Sequence, residues 1–140
     1  MPKYTVILPA AGKSSRFGGM EKKPFVLLHN RAVWVRSAEL FWNRPDVSKV
    51  YLVIAPEDRD DFRARFGHVV AFANAEVVEG GAERFDSVAT ALAKVPADVD
   101  FVAVHDAVRP LTPPAVIDAV FASAANVGAA MVAVPLTDTL

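Results

Sequence analysis

Tyr4-Thr5-Val6-Ile7-Leu8-Pro9-Ala10-Ala11-Gly12-Lys13-Ser14-Ser15-Arg16 opens on an apolar run, broken only by Thr5, that gives way to small residues and cations. A Val/Ile/Leu run without polar alternation suits a strand covered on both faces, as in a parallel sheet. Similar runs recur at 50–55, 101–104 and 129–134, and 76–78 sits in a shorter one. Helical spacing lies between them. Phe85, Val88, Leu92 and Val95 fall on one helical stripe, and Val116, Ile117, Val120, Phe121 and Ala124 on another. The second stripe begins after Thr112-Pro113-Pro114, a start signal because the missing proline N–H costs nothing in a first turn. Weaker helical patterns cover 32–41 and 58–66. The alternation predicts βαβαβαβαβ, an α/β fold built as a three-layer, doubly wound, mostly parallel sheet of the Rossmann-like kind.

The chain has 140 residues, the size of one ordinary domain, and is expected to be a single domain over 1–140. With 53% hydrophobic and 22% charged residues it reads as a compact globule and not a disordered chain. A net charge of −1 gives no reason to expect nucleic acid or an anionic membrane. There are no cysteines, which excludes disulfides and thiolate metal sites. The first apolar run is too short for a signal-peptide core or a membrane span, so a cytoplasmic location is expected.

In open α/β sheets ligands bind outside the carboxyl ends of the strands, and each such end here carries unusual residues. After the first strand, small residues from Pro9 to Gly12 allow main-chain N–H groups to approach a polyphosphate, while Lys13, Arg16, Lys22 and Lys23 add positive charge. The competing reading is a surface loop that happens to hold glycine and lysine. A Walker loop is excluded, because the glycine required five residues before Gly12 is Ile7. A dinucleotide fingerprint also fails, since counting from Gly12 gives Ser14 and Phe17. After the third strand, Gly80-Gly81 lets the chain come close to a flat ligand, with Asp86 or Ser87 as local helix caps on the alternative reading. After the fourth comes His105-Asp106-Ala107-Val108-Arg109-Pro110. Asp106 is a natural Mg²⁺ ligand beside a phosphate loop, or else the partner of Arg109 in an ion pair that fixes the loop. His105 reads as structural, and His29 and His68 have no motif context. Thr137-Asp138-Thr139 follows the fifth run, where an acceptor could meet the nucleotide.

Five runs carry a resemblance: P-A-A-G-K-S-S-R-F-G from Pro9, K-K-P-F from Lys22, G-G-A-E-R-F-D-S-V from Gly80, V-H-D-A-V-R-P from Val104 and V-P-L-T-D-T from Val134. In this order and spacing the chain resembles the 2-C-methyl-D-erythritol 4-phosphate cytidylyltransferases of the non-mevalonate isoprenoid pathway. The resemblance implies a nucleotidyltransferase fold and a Mg²⁺-dependent reaction between CTP and a small sugar-alcohol phosphate. It implies that Arg16 and Lys23 are catalytic and that Pro9, Ala10, Ala11 and Gly12 line the nucleotide. It further implies that Gly80, Gly81, Ala82 and Ser87 read the cytosine, that Ala107 and Asp106 meet the ribose and metal, and that Thr139 faces the acceptor phosphate. Arg84, Asp86 and Arg109 correspond to loop-fixing residues.

Two departures from the family pattern are mild, Ser14 in place of a second glycine and Pro24-Phe25 in place of Gln-Tyr. Members of the family continue past the position of Leu140 with a dimer-forming arm and basic residues for the acceptor phosphate. The expectation is therefore a nucleotide half-site that binds CTP weakly and turns over slowly or not at all. A ribitol 5-phosphate cytidylyltransferase is the nearest alternative, followed by a catalytically silent nucleotide-binding module. A nicotinamide enzyme is disfavoured, since the second strand ends in Ala55-Pro56 and not in an acidic residue for a ribose.

Overall fold

Strand β1 (Tyr4–Ala10) is followed by two short ribbons in the computed structural model, which describes residues 1–12, 16–17 and 21–135, with the backbone alone at Arg16, Phe17 and Glu21. The ribbons pair β2 (Arg16–Phe17) with β3 (Glu21–Lys22), and β4 (Leu27–Leu28) with β5 (Arg31–Ala32). A 3-10 turn, Lys23–Phe25, separates them. Then come α1 (Val33–Glu39), β6 (Val47–Ile54), α2 (Arg59–Phe72), β7 (Ala75–Glu79), α3 (Arg84–Leu92), β8 (Phe101–Val104) and α4 (Pro114–Val127). The sequence pattern predicts neither the first ribbon nor the second. The two-residue turn of the second puts His29 and Asn30 at φ 52° and 65°, the left-handed conformation that suits the twist of a tight hairpin.

The four long strands form one sheet in the order β7-β6-β1-β8, and every pairing is parallel. Successive side chains along a strand point to opposite faces, and both faces are apolar. Val6, Leu8, Leu52 and Ile54 pack with Trp34 of α1, Phe62 of α2 and Phe121 of α4. Ile7, Tyr51, Val53 and Val78 pack on the other face with Ala91 of α3, and Val88 joins them. The result is three layers. The chain steps outward from β1 to β6 to β7 with α1 and α2 on one face. It then returns through α3, on the opposite face, to β8 on the far side of β1. Right-handed crossovers dictate that change of face, and it makes the β1/β8 boundary the switch point of the sheet.

The fifth expected strand, 129–134, is not one. Residues 129–135 are exposed and without regular structure, and the sheet ends at β8. Strand propensity in Val- and Ala-rich runs is largely a preference for packing on a pleated, half-buried surface. These residues gain no such surface here, and the run stays unpaired.

Candidate functional site

A cleft of about 360 Å³ opens at the carboxyl ends of the strands, over the switch point. Among the described residues four segments wall it. The end of β1 contributes Pro9, Ala10, Ala11 and Gly12; the 3-10 turn and its approach contribute Lys22, Lys23 and Pro24. The entry to α3 contributes Gly81, Ala82, Glu83, Arg84 and Ser87, and the loop after β8 contributes Asp106, Ala107 and Val108. The sequence-expected residues from all four loops are thus brought to one place. Three expectations fall elsewhere: the side chain of Arg16 and all of Thr139 lie outside the described residues, and Gly80 does not line the cleft.

Gly80 and Gly81 are fixed by close packing. A Cβ on Gly80 would sit 2.4 Å from Ser87 Oγ and 2.7 Å from Val53 Cγ1; one on Gly81 would sit 2.4 Å from Asp86 Cβ. Only glycine lets the chain leaving β7 pass under the first turn of α3. That turn is closed by a capping box in which Asp86 accepts the Glu83 N–H at 3.2 Å and the Glu83 side chain accepts from the Asp86 N–H. The local-cap reading of Asp86 therefore holds, and two of the main-chain groups at this end of α3 are already satisfied.

Across the cleft, Asp106 has a guanidinium on each oxygen: Arg84 Nη2 lies 2.8 Å from Oδ1 and Arg109 Nε donates to Oδ2 at 2.9 Å. The Arg109 hydrogen bond, with a further contribution from Arg84, holds the Asp106 carboxyl below its ordinary range despite partial burial. The ion-pair alternative for Asp106 is thus present in the structure. His105 supports the same loop: its Nε2–H donates to the Arg109 carbonyl at 2.9 Å and its ring meets Phe41 edge-on at 5.0 Å. One supporting residue was missed. Ser37, fully buried on α1, donates its hydroxyl to the Ala107 carbonyl at 2.8 Å and pins the loop after β8. A serine within the apolar stripe of a helix was the available signal.

The adjacent lysines differ. Lys22 is buried, with Nζ donating to Asp58 Oδ2 at 2.6 Å, whereas Lys23 is exposed at the cleft wall. Among the described residues no three His, Asp or Glu side chains stand together as a preformed metal site. Any hard cation here would take most of its oxygen ligands from a bound phosphate and water, which is how Mg²⁺ is commonly held.

A parallel three-layer sheet with a cleft over its switch point is an α/β domain of the nucleotidyltransferase-like kind. The model of the 2-C-methyl-D-erythritol 4-phosphate cytidylyltransferase family matches residues 4–140, and the chain belongs to that family. It is 43% identical over 136 residues to the Symbiobacterium thermophilum enzyme of that name, covering 97% of this chain and 56% of the relative. The Dechloromonas aromatica enzyme is 39% identical over 146 residues, covering 100% and 63%. Among solved structures, a 4-diphosphocytidyl-2C-methyl-D-erythritol synthase superposes with TM-score 0.73 at 22% identity, covering 100% of this chain and 63% of that one. The Francisella tularensis cytidylyltransferase superposes with TM-score 0.66 at 25% identity, covering 88% and 52%. The chain therefore spans about 60% of the length of the curated relatives it matches. No helix among the described residues is long and apolar enough to cross a membrane.

Proposed function

We propose that the cleft is a CTP site and that the protein transfers a cytidylyl group to 2-C-methyl-D-erythritol 4-phosphate. A phosphate oxygen of the acceptor attacks the α-phosphorus of CTP, and the bond from that phosphorus to the bridging oxygen breaks. Pyrophosphate leaves with the electron pair, and the product is the CDP-methylerythritol. Such a displacement asks the protein mainly for alignment and for neutralisation of charge on the phosphoryl oxygens. Lys23, exposed at the wall of the cleft, is proposed to supply one positive charge and Arg16 a second. The small residues Ala10, Ala11 and Gly12 leave room for the triphosphate against the main chain. Gly81, Ala82 and Ser87 are proposed to meet the cytosine ring, above the packing contact made by Gly80. Ala107 and Asp106 are proposed at the ribose, and Thr139 at the acceptor.

Mg²⁺ bound with the triphosphate would neutralise its charge and favour departure of pyrophosphate. Asp106 is the carboxylate proposed to hold it, directly or through water, in exchange for one of its guanidinium partners. A cytoplasmic location, a homodimeric state and small-molecule partners alone are proposed with it.

The observation that carries the proposal is the convergence of four separate family-matching loops on one cleft at the switch point. Incubation of the intact protein with CTP, Mg²⁺ and either acceptor tests it. The expected products are pyrophosphate and the CDP-methylerythritol. Formation of CDP-ribitol from ribitol 5-phosphate, without the erythritol product, overturns the choice of acceptor.

A further inference from the structure

Two adjacent lysines are placed in opposite ways, and the proposed reaction uses only the second. The Lys22 side chain is 8% exposed and that of its partner Asp58 18%, with Nζ 2.6 Å from Asp58 Oδ2 and 3.9 Å from Glu57 Oε1. Asp58 ends the 3-10 turn Pro56–Asp58, directly after the carboxyl end of β6 and at the start of α2. On the other side of Lys23, Phe25 is buried against Phe62 and Phe66 of α2, with ring centroids 5.9 and 6.1 Å away. Arg65 of the same helix donates to the Phe25 carbonyl at 3.2 Å.

Lys23 is thus held between two anchors that both belong to the β6–α2 unit. Pro24 restricts the backbone between them, and the Val26 N–H donates to the Lys23 carbonyl at 3.3 Å. A buried ammonium stripped of its carboxylate becomes an uncompensated charge, so the Lys22–Asp58 anchor cannot be lost without consequence. Its charge is also matched locally by Asp58 and Glu57, which leaves Lys23 as the lysine of this turn with a free field into the cleft.

We propose that Lys22 is a positioning residue: its ion pair with Asp58 fixes the turn that presents Lys23 to the triphosphate. The catalytic consequence rests on the cytidylyl-transfer reading; the clamp itself does not. Two measurements on the intact protein separate them. In ligand-free protein, Lys22→Met should raise amide exchange at Val26 by about tenfold or more, because the turn loses one anchor. Asp58→Asn should do the same and serves if the first variant folds poorly, while Lys22→Arg should leave exchange near wild type. Unchanged exchange in both Lys22→Met and Asp58→Asn overturns the clamp, whatever the protein binds.

In steady-state turnover of CTP, Lys22→Met should lower kcat by about tenfold or more with a smaller change in KM, since alignment at the transition state is what is lost. In a Lys23→Ala background the same substitution should cost less than about twofold, because its effect runs through Lys23. Equal losses in the two backgrounds overturn the positioning role. If wild-type protein shows no turnover of CTP, the proposed function has failed, and the exchange measurement still decides the clamp.

Discussion

Gly80→Ala offers a test of how the nucleotide cleft is built that needs no ligand. The added methyl meets Ser87 Oγ at 2.4 Å, Ser87 Cβ at 3.0 Å and Val53 Cγ1 at 2.7 Å. The hydroxyl could rotate aside, but the other two contacts have nowhere to go. Val53 is fully buried in β6, which pairs with β1 on one side and β7 on the other. Ser87 is buried in the first turn of α3. Overpacking of a tight core costs about 1–3 kcal/mol, and two rigid contacts place this one near 3 kcal/mol. With 140 residues, an unfolding entropy of about 0.3 kcal/mol/K turns that into a loss of about 10 °C in Tm. Urea unfolding of wild type, Gly80→Ala, Val53→Ala and the double variant would measure it. The double variant should be more stable than the sum of the two single losses by at least about 1 kcal/mol, because the new methyl occupies the space that Val53 vacates. A cost below about 0.5 kcal/mol for Gly80→Ala, or strict additivity, would refute the packing account of the glycine pair.

Lys23→Ala should leave stability within about 0.5 kcal/mol, since the side chain is exposed, while lowering turnover of CTP by about 10²-fold or more; denaturation and steady-state kinetics on one preparation would check both. Asp106 supplies a pH dependence. Its folded-state pKa is depressed below the ordinary 3.8, so its contribution is complete above that value and is lost as pH falls through the lower, folded one. Acid-unfolding curves should therefore show a steeper loss below pH about 4 in wild type than in Asp106→Asn, and identical slopes would contradict the ion-pair assignment. At the opposite end of the sheet, the Tyr4 hydroxyl donates to the Phe121 carbonyl at 2.8 Å in a buried setting. Tyr4→Phe should cost about 1 kcal/mol in chemical denaturation and leave CTP affinity unchanged.

Much of the architecture could be read from local pattern. The runs that became β1, β6 and β8 are apolar but for Thr5, a pattern that suits a parallel sheet and needs no knowledge of partners. β7 keeps only Val77 and Val78 between Glu76 and Glu79, and Val102 and Val104 of β8 stay exposed. The run at 129–134 has a similar composition and is no strand, although the outer edge of β8 carries no partner among the described residues; composition does not encode whether a run pairs. The tight hairpin at His29-Asn30 escaped notice because neither residue is glycine, the usual mark of such a turn. Motif spacing located the cleft through its loops, but the close packing of Gly80 against Ser87 and Val53 is a tertiary contact that no spacing displays. Lys22–Asp58 and Ser37–Ala107 join residues 36 and 70 positions apart. Pairs at that separation are set by topology, and no window along the chain contains them.

The cleft as a CTP site is tested most directly by calorimetric titration of the intact protein with CTP, UTP and ATP in the presence of Mg²⁺. CTP should bind at least about tenfold more tightly than the other two, because a site that hydrogen-bonds the base edge leaves polar groups unpaired with the wrong base. The binding of CTP should weaken in Lys23→Ala. Equal binding of all three nucleotides, or CTP binding undiminished in Lys23→Ala, would contradict the assignment.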